Sequence, residues 1–469
     1  MGGVWRRRLL GVALAGLACN APAQVPVSEV EQFYANSGVF SAVEPSAHAH
    51  ATRFPSLSAD GVRIAFARDG EGQLVIRDLS QSSSEVVPAP GLRSSGRDFT
   101  LSSDGRVLAF DSEAVPGKAG CNRVLNLRNA LTGTQTSVGG AACLDRPSKP
   151  IIAQFGKPYG FASNILRSGA PSPSNSYDIY FRRVPPFLGK GDSTECLSCA
   201  QDDSDSGSLG VGAFSAEPVS NVAHRENKDL WISNGGSRLS FVYSIAYERC
   251  EMGNPDCGES GLVIADASDA GITVRRSLRL AERNRFLEAE AAADGNRFVF
   301  STSAPMVPGE DADDDLDVYL YDVIEDRVIL LSGGLTGSAN DVRISGNGRF
   351  AIFTRESIPR RIPIPPDVQG TACGLVFDPV DNTSEYYLVD LQGETPRRAR
   401  VLGESRQFGN DCEARTATPR QGADINHSGT RIALTTRNAL DAGDTNNQLD
   451  VYVAPNHFAR DLIFDHSFD

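Results

Sequence analysis

Two short loops carry the side chains best suited to binding chemistry. Asp311, Asp313 and Asp317 in one, and Asp444, Asn446 and Asp450 in the other, place side-chain oxygens at matched positions one, three and seven. Calcium takes roughly six to eight hard oxygen ligands, which carboxylates and loop carbonyls supply. Neither loop has the Gly and Glu spacing of an EF-hand. Asp and Asn also bond their own backbone in Asx turns. Calcium binding and a plain solvated turn are both open readings of these loops.

Cysteines form the second set. Beyond Cys19 there are Cys121, Cys143, Cys196, Cys199, Cys250, Cys257, Cys373 and Cys412, an even number that predicts disulfides in an oxidising compartment. Cys196-Leu-Ser-Cys199 has no following His for haem attachment, no second CxxC to complete a zinc site and no helical pattern for redox chemistry. A structural loop disulfide is the expectation there. No Gly-x-Ser-x-Gly elbow, HExxH motif or phosphate-binding loop occurs. His224, His427, His457 and His466 are scattered, and the pair His48 and His50 does not by itself make a metal site. No catalytic residue and no cofactor site is assigned, although residues from several repeats could still meet in a central channel.

These residues hang on a repeat. A tight turn leads into an apolar run at Ser58-Ala-Asp-Gly61 with Ile64-Ala-Phe66, and at Ser102-Ser-Asp-Gly105 with Val107–Phe110. It recurs at Asp294-Gly295 with Phe298–Phe300, Asn347-Gly348 with Phe350–Phe353, and Ser428-Gly429 with Ile432–Leu434. Asn234-Gly-Gly236 with Leu239–Phe241 is a looser copy, and Gln154-Phe-Gly156 with Tyr159–Phe161 a degenerate one. Each is followed by a second apolar run, such as Leu74–Arg77, Asp317–Tyr321 or Asp450–Val453, then by a weaker third such as Val328–Leu331. Gly accepts the positive φ of such turns, and the runs are β-rich. Four antiparallel strands per unit make a β-propeller blade. The fold expected is all-β, a propeller of seven four-stranded blades, with six or eight left open by the weak third copy.

The pattern Ser-x-Asp-Gly-x-x-Ile-Ala-Phe, with a downstream strand ending in Asp, resembles the TolB-like β-propeller repeat family. The resemblance covers most of 53–469, without the amino-terminal domain of TolB, since only residues 24–52 lie between the leader and the first repeat. It implies the propeller and no particular role. It also implies a structural part for a Gly-Asp-x-Asn loop like that at Gly443-Asp444.

The blade scheme sorts the remaining segments. Cys121 and Cys373 fall before a third strand, and Cys143 and Cys412 after a fourth, so Cys121–Cys143 and Cys373–Cys412 can close equivalent clips while Cys250–Cys257 pins one loop. The long segments 112–123, 188–227, 246–261, 356–385 and 403–421 then share one face with all of these cysteines and both acidic loops. Long loops on a rigid scaffold are where binding usually resides.

Residues 1–23 read as a signal peptide: Arg6-Arg-Arg8, an apolar core over Leu9–Ala18, and an Ala21-Pro-Ala23 cleavage site. The core is too short to span a bilayer. Cys19 suggests a lipoprotein, but Gly16 stands where such a box wants Leu, and soluble export is preferred. Residues 24–52 form an N-terminal extension, in which Val25–Ala51 has few strand signals and is expected to run over the surface. With 59 acidic against 45 basic side chains and a net charge of −14, nucleic acid and anionic membranes are poor partners. The expected function is an exported, monomeric, non-catalytic scaffold, periplasmic or secreted, binding a protein or peptide through its disulfide-braced loops. The alternatives are a glycan lyase, hydrolase or lactonase with a channel site, and a calcium-stabilised envelope protein.

Overall fold

The computed structural model describes residues 28–29, 40–44, 51–68, 71–92, 99–113, 123–138, 222–233, 237–247, 258–268, 271–280, 286–311, 315–356, 383–393, 395–405, 422–436, 439–440 and 448–459. Of these, 28–29, 113, 123, 138, 222–229, 246–247, 267–268, 271, 286–287, 383–384 and 403–405 are described as strand backbone alone, as are 151–152, 159–163, 178–182, 194–196, 361–362 and 376–377.

The tight turns explain how each unit starts. In Ser58-Ala-Asp-Gly61, the Ser58 hydroxyl donates to Asp60 Oδ1 at 2.6 Å and accepts from the Arg63 amide at 2.9 Å, while Asp60 Oδ1 also accepts from the Val62 amide. Gly61 supplies the left-handed step at φ +67°. Ser102 with Asp104, and Ser345 with Asn347, make the same ties. Side chains that bond their own turn in this way hold two strands in one register.

The strands assemble into separate antiparallel sheets, labelled I to VII in chain order, each running in space as in sequence. Sheet I is Thr52–Leu57, Arg63–Arg68, Gln73–Asp78 and Ser83–Pro88. Sheet II is Phe99–Leu101, Val107–Glu113, Arg123–Asn129 and Gln135–Val138. Sheet III is Ile151–Ile152, Tyr159–Ser163, Asp178–Arg182 and Thr194–Cys196. Sheet IV is Val222–Ile232, Arg238–Tyr247, Gly258–Ser268 and Gly271–Leu280. Sheet V is Phe286–Ala291, Arg297–Thr302, Asp317–Asp322 and Arg327–Leu330. Sheet VI is Ser338–Ile344, Phe350–Glu356, Thr383–Asp390 and Arg397–Ser405, with Ser28–Glu29 added in parallel to its last strand. Sheet VII is Ala423–Ile425, Arg431–Thr436 and Asp450–Pro455, and its outer strand is Ser41–Ala42.

The first strands of successive sheets lie side by side, and that of sheet VII meets that of sheet I. The architecture is an all-β propeller. The expectation of seven four-stranded units is corrected: six sheets have four strands, and the sheet over 338–405 has five because the N-terminal segment extends it. The 356–385 segment, expected as a loop, also contains a small ribbon pairing Arg361–Ile362 with Val376–Phe377.

The cores lie between neighbouring sheets. Phe298 and Phe300 pack with Trp231 and Leu262 of sheet IV, whereas Val299 on the same strand packs with Val342 and Phe353 of sheet VI. Both faces of each such sheet are buried, so its strands read as continuous apolar runs rather than alternating ones.

The segment 24–52 is the main departure from expectation. Phe40, Val43 and Glu44 are buried, and the Val43 amide donates to the Val451 carbonyl at 2.9 Å. Two paired strands too short to register as a run of β-formers leave no sequence signal.

Candidate functional site

Two rings of side chains join the sheets, and both bear on what the molecule can do. The first lies at the tight-turn end. Arg431 of sheet VII donates to the Gly61 carbonyl of sheet I at 2.7 Å, and Arg63 of sheet I to Gly105 of sheet II at 3.0 Å. Arg238 donates to Gly295 and Arg297 to Gly348, both at 2.9 Å. Between sheets VI and VII the link is Asn347, whose amide and side chain donate to the carbonyls of His427 and Ser428 at 2.8 Å each. Gly61, Gly105, Gly295 and Gly348 thus each offer a carbonyl to the preceding sheet as well as turning the chain. The second residue after the glycine is Arg at 63, 238, 297 and 431, a periodic signal that turn reading alone passes over.

Arg63, Arg238 and Arg297 also bind an Asp at or near the end of the third strand of their own sheet, as in Arg238 Nε to Asp266 Oδ1 at 3.0 Å. Arg238→Ala is therefore expected to cost about 1.5–3 kcal/mol of stability in urea titration. Lys at that position should recover only part of the loss, since it lacks the planar fork that serves two acceptors at once.

Asp390 shows the strongest version. It is 1% exposed and accepts from Arg349 at 3.1 Å through both oxygens, from Arg397 at 2.8 Å and from the Gln392 amide at 3.0 Å. Burial alone would raise its pKa, but these bonds outweigh burial and hold it below the ordinary value. A depressed folded pKa contributes stability above the unfolded value of about 3.9, and that contribution is lost as pH falls through it. The urea midpoint should therefore drop between about pH 5 and pH 2, and Asp390→Asn should flatten that part of the profile.

The second ring joins the inner strands. Ser56 Oγ of sheet I accepts the Leu101 amide of sheet II at 3.1 Å, and Asp424 of sheet VII accepts the Leu57 amide of sheet I at 2.6 Å. Asp341 of sheet VI accepts the Ala423 amide of sheet VII at 3.1 Å, and Glu288 of sheet V accepts the Asp341 amide. The inner strands of sheets I and VI reach these positions through register shifts after Arg53 and Asn340, with positive φ at Phe54 and Asp341. Such bulges re-aim side chains. Here they turn a polar side chain onto the next sheet.

A charged cluster sits in this ring. Arg343, 4% exposed, lies 3.2 Å from Glu290, 3.4 Å from Asp341 and 3.7 Å from Glu288. One guanidinium faces three carboxylates across two inner strands. Nearby, Glu385 is bridged by Arg355 and Arg400 at 3.1 and 3.0 Å and accepts the Tyr387 hydroxyl at 2.8 Å. Burial raises the Tyr387 hydroxyl, and the Glu385 contact adds to that.

The acidic-loop residues are only partly brought together. Asp311 is buried, its Oδ2 accepts the Tyr319 hydroxyl, and its Oδ1 has no hydrogen-bond partner among the described residues. Burial raises the Tyr319 hydroxyl, with Asp311 reinforcing the shift. Asp317 accepts the Ser332 hydroxyl. Asp317 and Asp450 occupy equivalent places, paired with Thr302 and Thr436 at the start of a third strand. Asp313, Asp444 and Asn446 lie outside the described residues. Among the described residues no group of three or more His, Cys, Asp or Glu is arranged to hold a metal. Cys121, Cys143, Cys199, Cys250, Cys257, Cys373 and Cys412 also lie outside them, as does the side chain of Cys196. Among those residues no helix is long and apolar enough to cross a membrane.

No protein-family model and no curated protein matches the chain. Among solved structures it is similar to an oligogalacturonate lyase from Vibrio parahaemolyticus, with 10% identity, 92% of this chain and 98% of that chain covered, and a TM-score of 0.48. It is similar to the β-propeller domain of the Trilobed protease from Pyrococcus furiosus, with 11% identity, 86% and 95% coverage and a TM-score of 0.48. A TolB candidate from Agrobacterium tumefaciens matches with 16% identity, 61% and 81% coverage and a TM-score of 0.34. These are likenesses of fold. The propeller assignment rests on the ring of sheets in this chain, and these likenesses single out no family.

Proposed function

We propose that the chain is an exported, non-catalytic propeller that holds a protein or peptide partner on its long-loop face. The observation that carries this reading is how the described inner strands use their polar side chains. Ser56, Glu288, Asp341 and Asp424 each accept an amide of a neighbouring inner strand. Groups that a channel enzyme would present to substrate act here as ties between sheets. A wall joined in this way is a stiff support, and segments on a stiff support are suited to recognition. The leader over 1–23 and the even set of eight cysteines support export and disulfide-braced loops.

The test uses the purified mature chain as bait in envelope extract, beside a variant in which 357–382 is replaced by a short Gly-Ser linker. One partner retained at about one to one by the parent and lost by the variant is the expected result. An empty bait, or equal retention by both, rejects the loop-face reading. Turnover of an oligosaccharide or lactone by the purified chain would establish the enzymatic alternative instead.

For the 311–317 loop we propose calcium as a stabilising ion, favoured by the buried Asp311 Oδ1, unpartnered among the described residues. EDTA is expected to lower the thermal midpoint by about 2–4 °C, with added calcium restoring it. A midpoint indifferent to both would remove the ion from the account.

A further inference from the structure

The outer edges of the sheets differ in how they end. Ser83–Pro88 closes on a proline, Thr194–Cys196 has 3 residues, and Gln135–Val138 and Arg327–Leu330 have 4 each. The outer strands of sheets VI and VII involve N-terminal residues 28–29 and 41–42. Sheet IV is different: its outer strand, Gly271–Leu280, has 10 residues, and no described strand lies beyond it. Its pairing shifts between Ile264 and Ala265, after which Arg276–Leu280 run in unbroken register with Ser260–Ile264.

That edge is basic in an acidic protein. Arg275, Arg276 and Arg279 are exposed. Arg275 pairs with Asp266 at 3.2 Å and Arg276 with Asp326 at 2.6 Å, with both partners of each pair about half exposed. Exposed pairs of this kind are worth little and exchange readily for another carboxylate. Asp326 lies in the turn that also carries Ile324, which is 68% exposed. Leu278 and Leu280 are anchored in the core between sheets IV and V, so the edge is held in place.

We propose that Arg276–Leu280 accepts an extended acidic peptide as an added strand, its carboxylates meeting the arginines and an apolar side chain meeting Ile324. Strand addition supplies affinity through main-chain bonds and specificity through alternate side chains. The molecule already takes an added strand on the outer edge of sheet VI, where Ser28 and Glu29 pair with Arg397 and Arg398. Arginines on an edge also discourage edge-to-edge association, and a second copy would set like charges opposite each other. An acidic partner is the occupant that turns the same arginines to advantage. This surface is distinct from the long loops, so the two proposals fail on different variants.

The probe is a fluorescein-labelled peptide of repeating Glu-Glu-Thr-Thr, about eight residues long, which places carboxylates on both faces of the added strand, titrated with the full chain and read by anisotropy. The expected result is saturable binding at low salt, at least tenfold weaker for Arg276→Glu with Arg279→Glu. A peptide of the same charge, N-methylated at every second residue so that it cannot extend the ladder, should not bind the parent protein. Hydrogen exchange at 276–280 should slow on binding. Absence of binding by the parent, equal binding by the N-methylated peptide, or indifference to the double substitution would each overturn the proposal.

Discussion

Phe40→Ala should lower the unfolding free energy by about 3–5 kcal/mol, the cost of emptying a large aromatic site in a packed core. Phe40 lies at 5% exposure among Phe350, Tyr386, Tyr452 and Phe458, where sheets VI and VII meet. Val43 fills the next core, with Leu57 and Phe66 of sheet I and Val451 of sheet VII. Glu44 receives Arg68 of sheet I through two nitrogens, at 2.6 and 3.1 Å. Residues 40–44 thus tie the last sheet to the first, and the ring closes through them without a covalent link. Deleting through residue 44 should therefore cost more than deleting through residue 39. Urea titration followed by far-ultraviolet circular dichroism measures both. A change within about 0.5 kcal/mol for Phe40→Ala, as at an ordinary surface site, would show that the closure does not depend on this side chain.

Arg343→Met should be of similar size, about 3–5 kcal/mol, for a different reason. The substitution keeps an apolar stem of comparable length but leaves Glu288, Glu290 and Asp341 facing one another without their common cation. Carboxylates in that position have folded pKa values raised above their unfolded ones. The sign follows: a raised carboxyl penalises folding above its unfolded pKa, and the penalty fades as pH falls and the group takes up a proton. The variant should therefore regain stability between about pH 7 and pH 5 relative to the parent protein. Equal pH profiles for parent and variant would mean that the cluster is not electrostatically coupled. Arg238→Ala should show no such recovery, because its partner Asp266 is more open to water.

Much of the fold was legible in local chemistry. Ser-x-Asp-Gly and its Asn-Gly variants close on themselves within a few residues, so the turns at 58–61, 102–105, 345–348 and 426–429 needed no tertiary contact to be recognised. The apolar runs after them, buried on both faces, gave the second and third strands. The antiparallel order then followed. The inner strands were harder. Ala423–Ile425 and Phe99–Leu101 are short, and Ser338–Ile344 carries Asn340, Asp341 and Arg343 where a core strand would be expected to be apolar.

The sequence by itself determined the repeat, its turn chemistry, the all-β propeller and an acidic net charge. Each of these depends on residues close together in the chain. The tertiary structure alone decided which residue meets which across sheets. It made the turn glycines acceptors for arginines about 40 to 60 positions away, and more than 360 positions away where Arg431 reaches Gly61. It brought residues 40–44 to the far end of the chain, and among the described residues it set the long basic strand 271–280 at the edge of sheet IV. Local propensity encodes a strand or a turn, but the partner of an arginine, or the fate of a sheet edge, is set only when the ring closes.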